Sequence, residues 1–167
     1  MKKKLVCSGL IAIMLMGGCS HAEEYTRTED IQKAVYEQIA YDKDMDRLVD
    51  YLESALGKPY VWGASGVNHK SYDCSSLVQM AYRQLGIELP RVSYMQAKQG
   101  VEVSLEDIKV GDLVCFVTSN RNGGDVTHIG IYVGDGDFIH AKGAKYGVVR
   151  QPLADYYNTL VTIRRVK

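Results

Sequence analysis

Val126-Thr127-His128-Ile129-Gly130-Ile131-Tyr132-Val133-Gly134-Asp135-Gly136-Asp137-Phe138-Ile139-His140-Ala141 is the stretch from which the fold can be read. β-Branched and aromatic residues lie on both sides of Gly134-Asp135-Gly136, a tight hairpin turn. Side chains alternate along a strand. Val126, His128, Gly130 and Tyr132 therefore share one face, and Ile129, Ile131 and Val133 the other. Pairing Val133 with Asp137 across a three-residue turn puts His140 opposite Gly130. His128 and His140 are then diagonal neighbours on one face. A slip of one residue would separate them. The glycine opposite His140 leaves room for another group to approach. A single strand histidine is more often structural than functional, but two on one face of one hairpin point to chemistry.

Further strands surround this hairpin. Asp112 to Thr118 precedes it, with Asn120, Asn122, Gly123 and Gly124 as turn residues between. Val148 to Gln151 and Thr159 to Val166 follow, with a helical turn at Leu153 to Tyr157. Upstream the period becomes helical. Thr26 and Glu29 form a capping-box pattern that opens a helix running to about Ala40. Met45, Leu48, Val49, Leu52 and Leu56 mark a second helix, closed by Gly57 and Pro59. Asp73 is the N-cap of a third, whose stripe is Leu77, Val78, Ala81 and Leu85 and whose end is Gly86. Ser93 with Gln96 suggests a short capped helix ending by Gly100. Helices first and an antiparallel meander afterwards read as α+β, with N-terminal helices packed on a sheet of about five or six strands.

The chain has 167 residues and is 46% hydrophobic, which suits one domain with a short appendage. Its 20 basic and 20 acidic side chains balance, which excludes a general attraction to nucleic acid. Four cysteines are too few for a disulfide scaffold. Lys2, Lys3 and Lys4 precede an apolar run, Leu5 to Met16, that is too short to span a bilayer comfortably. Gly17-Gly18-Cys19 follows, and the whole resembles a bacterial lipoprotein signal. Met16 departs from it, since a branched aliphatic residue is commoner there. The resemblance implies a signal peptide over residues 1–18, removed together with Cys7 and the three lysines. Cys19 then carries the lipid, whose acyl chains anchor the protein to a membrane at about 0.8 kcal/mol per buried methylene. The expected organisation is a tether and helical segment over 19–44, then a single domain over 45–167. The expected place is the bacterial cell envelope, on the periplasmic side of the outer membrane in a Gram-negative cell.

Two cysteines remain besides the anchor. Cys74 follows the capping Asp73 and opens a helix, a position whose amides and dipole lower a thiol pKa. Cys115, in line with Leu113 and Val117, faces a core and cannot pair with Cys74 from there. Cys74, His128 and His140 together supply a nucleophile, a base and a group to fix the base's tautomer. A Cys/His/His zinc site is the competing use of these types, but neither a paired-Cys motif nor His-Glu-x-x-His is present.

Asp73-Cys74-Ser75-Ser76, His128-Ile129-Gly130-Ile131-Tyr132-Val133-Gly134 and Phe138-Ile139-His140-Ala141 resemble the NlpC-type family of bacterial cell-wall cysteine peptidases. So do Pro59-Tyr60-Val61-Trp62-Gly63, Leu89-Pro90-Arg91-Val92-Ser93 and Gly111-Asp112-Leu113-Val114. The similarity covers about Leu52 to Val166. It implies a minimal papain-like fold and hydrolysis of peptidoglycan stem peptides, usually between γ-D-glutamyl and a diamino acid, with a cross-link bond as the alternative. By position, Cys74 matches the nucleophile, His128 the general base and His140 the third, polar member. Tyr60 matches a tyrosine near the oxyanion site. Asp73, Ser75, Arg91 and Ser93 match the substrate groove. Ser76 and Ala64 stand where the family commonly has glycine. No metal or cofactor is implied, and a monomer is expected. Two other uses of these residues are a non-catalytic envelope-binding module and an amidase or acyltransferase working through the same three groups.

Overall fold

A computed structural model describes residues 21–119 and 125–167, with side chains from residue 27 onward. The signal, Cys7, Cys19 and the turn residues Asn120, Asn122, Gly123 and Gly124 lie outside the described residues. The chain divides into two compact units, one ending at Gln38 and the other running from Ile39 to Lys167.

The first helix, α1, is His21–Ser54. It is continuous, where the sequence suggested two helices separated between Ala40 and Met45. No glycine or proline occurs within it, and the charged residues 42–44 do not interrupt backbone hydrogen bonding. Thr26 lies inside the helix and does not cap it. From Ile39 onward one stripe is buried: Met45, Leu48 and Leu52, continued by Ala55. Gly57, at φ 77°, then turns the chain out of the helix.

Helix α2 is Cys74–Arg83, with Asp73 as its N-cap. Asp73 Oδ1 accepts from Ser76 N at 2.8 Å, and Ser76 Oγ accepts from Asp73 N at 2.9 Å. This capping box explains what a serine does at position 76: its hydroxyl satisfies an amide that a glycine could not. Helix α3 is Ser93–Gln96. Its N-cap is Val92, with no side-chain capping bond. Ser93 therefore does not cap it. The Ser93 hydroxyl instead donates to Val126 O at 3.2 Å.

Six strands follow: β1 Val101–Val103, β2 Leu113–Phe116, β3 His128–Gly134, β4 Asp137–Gly143, β5 Gly147–Pro152 and β6 Leu160–Arg165. All pairings are antiparallel, in the order β1-β6-β2-β3-β4-β5. Sequence reading missed β1, an edge strand of three residues with a glutamate at its centre and little burial. A 3-10 helix, Leu153–Thr159, links β5 to β6. The two faces of the sheet have separate jobs. Leu113, Cys115, Ile129, Ile131, Ile139 and Ala141 pack with the α1 and α2 stripes in the main core. Val114, Phe116, Phe138, Leu153 and Ile163 form a second cluster on the other face.

The β3–β4 hairpin is tighter than a three-residue turn. Gly134, not Val133, pairs with Asp137, and a bulge falls between Tyr132 and Gly134. Asp135 and Gly136 alone form the turn, at φ 54° and 81°. The bulge absorbs the difference: beyond it Tyr132 pairs with Phe138 and Ile131 with Ile139. His128 and His140 consequently remain on one face. The room opposite His140 is taken, however. A Cβ on Gly130 would lie 2.6 Å from Phe138 Cδ2 and 3.0 Å from His140 Cβ. The glycine lets β4 close on β3; it does not open a path for a ligand.

Candidate active site

Capping by Asp73 fixes Cys74 as the first residue of α2. Its side chain is only 7% exposed and lies in the main core. Burial pushes the Cys74 thiol up to about 11, with the Asp73 carboxylate adding to the rise; backbone amides of Ser75, Ile129 and Cys74 draw it down. The helix terminus therefore does favour the thiolate locally, but desolvation and the capping charge outweigh it. Cys115 is 0% exposed in β2, and burial holds it up at about 12. Both thiols are free.

On the sheet, His128 Nε2 lies 2.6 Å from His140 Nδ1, with the rings edge-on at 74°. His140 Nε2 lies 3.0 Å from Gln151 Oε1, which also accepts from Tyr156 OH at 2.8 Å. An amide oxygen has no proton to give, so this orientation assigns the proton to His140 Nε2. His140 Nδ1 then accepts, and His128 Nε2–H donates to it. The lone pair of His128 is left on Nδ1, the nitrogen not engaged by His140.

Aromatic rings surround the pair. Phe138 packs 4.4 Å from the His140 ring, Tyr156 lies 5.4 Å from it edge-on, and Phe116 lies 6.1 Å from His128. Burial lowers His128 to about 3, helped by the neighbouring His140 and by Lys142. Burial lowers His140 to about 4 and Lys142 lowers it further, against a raising effect from Gln151. Both rings are neutral at pH 7. The resting site is thus a thiol beside neutral imidazoles, not a thiolate–imidazolium pair.

Cys74 and His128 open onto one cavity of about 780 Å³. Tyr60, Trp62, Gly63, Asp73, Ser75 and Arg91 share its lining. Val92, Ser93 and Lys142 line it too. Asp73 and Arg91 meet there as a closed pair: Arg91 Nη2 donates to Asp73 Oδ2 at 2.5 Å and Nη1 to Oδ1 at 3.1 Å. Arg91 also donates to Ser75 Oγ at 2.8 Å and to Ala64 O at 2.9 Å. Gly63 N donates to Asp73 Oδ2 at 3.1 Å. The Asp73 carboxylate thus joins two cavity walls and caps α2 at once. Tyr60 bridges Tyr72 in a short parallel contact that brings the 60s loop against the start of α2. Trp62 stands 76% exposed at the rim. No group of His, Cys, Asp and Glu suited to a metal ion occurs among the described residues.

Gln151 and Tyr156 were not singled out by sequence reading. The signal for Gln151 was available. Pairing of His140 with Val149 across β4 and β5 makes Gln151 the diagonal neighbour of His140. That is the same rule that places His128 beside His140.

A cysteine opening a helix, packed against an antiparallel sheet that carries the histidines, is a papain-like arrangement. A model of the NlpC/P60 family matches residues 57–166, and the chain belongs to that family. It is 44% identical over 94 residues to a probable endopeptidase of Corynebacterium glutamicum, covering 56% of this chain and 41% of that protein. It is 36% identical over 108 residues to a gamma-D-glutamyl-L-lysine dipeptidyl-peptidase of Bacillus cereus, covering 65% of this chain and 32% of that protein. It is 32% identical over 152 residues to the probable endopeptidase NlpC of Escherichia coli, with 90% and 91% covered. The chain thus spans less than half the length of the first two and nearly all of the third. Among solved structures, the peptidoglycan hydrolase RipB of Mycobacterium tuberculosis matches with a TM-score of 0.64 and 26% identity, covering 75% of this chain and 65% of that one.

Proposed function

We propose that this protein is a cysteine peptidase that hydrolyses peptidoglycan stem peptides. The bond cut is the one between γ-D-glutamyl and a diamino acid. The observation that carries the reading is the opening of Cys74 and His128 onto one cavity, with His140 hydrogen-bonded behind His128. Membership of the NlpC/P60 family and the names of the relatives above support it.

The chemistry follows from the protonation states. His128 Nδ1 takes the thiol proton as Cys74 Sγ attacks the scissile carbonyl, so the thiolate need not exist beforehand. His140 accepts the hydrogen bond from His128 Nε2–H and steadies the imidazolium that forms. Tyr60 and the amides around Cys74 face the developing oxyanion. His128 returns the proton to the departing amine, leaving a Cys74 thioester. Water, deprotonated by His128, then releases the acid and restores the thiol. Asp73, Ser75, Arg91 and Ser93 hold the acyl half of the substrate. In this reading the domain acts as a monomer without metal or cofactor. It is tethered to an envelope membrane by lipid on Cys19, after removal of residues 1–18.

The test is digestion of purified muropeptides by wild type and Cys74→Ala, with product masses. New fragments ending at the γ-glutamyl carboxylate are expected from wild type only. Equal digestion by the variant would overturn the thioester route, and intact muropeptides with wild type would overturn the hydrolase reading.

A further inference from the structure

Lys142 is a charged cavity-lining side chain that the proposed chemistry does not use. It lies on β4 two residues beyond His140, where the pairing with β5 shifts register, and lines the cavity with Cys74 and His128. Its ammonium sits 4.6 Å from the centroid of the Tyr146 ring and 6.0 Å from that of Tyr156. These rings confine a long stem by cation–π contact without neutralising it. Arg91 is matched to Asp73 and Arg150 to Asp137 and Glu53, while Lys145, 5.4 Å from the centroid of the Tyr146 ring, does not line the cavity. Among the described residues no carboxylate pairs with Lys142. With Asp73 and Arg91 cancelling and both histidines neutral, the charged groups that line the cavity leave one uncompensated positive charge.

Its position gives that charge a direction. In the hydrolase reading the acyl half of a bound substrate lies towards Cys74 and the Asp73–Arg91 pair at the start of α2. The amine half lies towards His128, which must hand it a proton. Lys142 is on the histidine side, against the Tyr156 ring that packs edge-on to His140. We infer that Lys142 is a specificity residue that binds a free carboxylate on the residue whose amine is released. The inference rests on the hydrolase reading and sharpens it: stem peptides whose diamino acid carries free carboxylates are preferred over those in which these are amidated. A charge-assisted bond held between two tyrosines is worth about tenfold in selectivity.

The test uses two synthetic peptides, L-Ala-γ-D-Glu-diaminopimelate with free carboxylates and the same peptide with both diaminopimelate carboxylates as carboxamides. Wild type should cut the acid about tenfold more efficiently, mainly through KM, and added salt should shrink the ratio. Lys142→Met should bring the ratio near one, Lys142→Arg should keep it, and Lys142→Glu should reverse it. Equal rates on the two peptides with wild type, or an unchanged ratio in Lys142→Met, would overturn the inference and leave the hydrolase reading standing. Failure of wild type to cut either peptide or any muropeptide would overturn both.

Discussion

Gln151 reaches His140 Nε2 at 3.0 Å and thereby decides which nitrogen of His128, one residue further along the chain of hydrogen bonds, is free to act as a base. The acceptor is an amide oxygen shared with Tyr156, so its orientation is held from both sides. Replacing it tests the tautomer rather than the fold. Gln151→Leu keeps the volume and removes the acceptor, and should lower kcat about 10- to 100-fold. Gln151→Glu restores an acceptor and should recover most of the loss, while also raising the pH below which activity falls. Steady-state kinetics beside thermal melts separate this from simple destabilisation.

Protonation of the histidine pair sets a stability window. Both imidazoles have depressed pKa values in the folded state, about 3 and about 4, against an ordinary value of 6.5. Between those limits the unfolded chain binds protons that the folded chain refuses. Stability is therefore complete above about pH 6.5 and is lost as pH falls towards 3, by up to about 1.4 kcal/mol per pH unit for each ring. Melting temperature should drop through this range in wild type. His128→Gln removes one of the two titrations and should flatten the slope. An unchanged slope would mean that the rings are not buried as neutral species.

The pH profile of kcat/KM should be broad. The limbs of the free protein are the histidine pair on the acid side and the Cys74 thiol, at about 11, on the basic side. Activity should be nearly level from about pH 5 to 9. A narrow optimum with an acid limb near 6.5 would show a solvated His128.

Thiol labelling should distinguish the two cysteines. Cys74 lines a cavity, whereas Cys115 is fully enclosed between β3 and β6. A small alkylating reagent should modify Cys74 slowly at pH 7 and faster as pH rises, because the thiolate fraction grows tenfold per unit below its pKa. Cys115 should react only on denaturation. Peptide mass mapping reads both.

Gly130→Ala tests the closeness of β3 and β4. The added methyl would meet Phe138, the Ile139 carbonyl at 2.9 Å and the His140 Cβ. Strain of about 1–3 kcal/mol is expected from such overpacking. Activity should fall by more than the stability loss explains, since relief of the clash moves His140. A variant that melts lower yet turns over normally would contradict this.

What the sequence displayed well were features written in local chemistry. Asp73 before a helical stripe marked the start of α2, and the alternation around Gly134-Asp135-Gly136 brought His128 and His140 to one face although the turn was misjudged by a residue. Register survived because both hairpin faces are buried by different partners, so a slip would be costly. An antiparallel sheet of about five or six strands, with N-terminal helices packed on it, was legible from the change of period. Features set by tertiary contact were not. Strand β1 exists because β6 offers it an edge, not because Val101-Glu102-Val103 has a strong pattern. Gln151 drew no attention because its partner lies across a second hairpin. The Cys74 pKa went the opposite way to the helix-terminus argument, since burial by neighbouring elements cannot be seen from the N-cap alone.

A thiol held near 11 also bears on how the protein meets oxidants. Peroxides and disulfides attack thiolates, and at pH 7 only about one Cys74 side chain in ten thousand is ionised at rest. A protein that kept a standing thiolate would expose its nucleophile to every oxidant between turnovers. In the proposed mechanism the charge is made only as substrate fills the cavity, so the reactive form exists when something worth attacking is already in place, and the idle protein is chemically quiet.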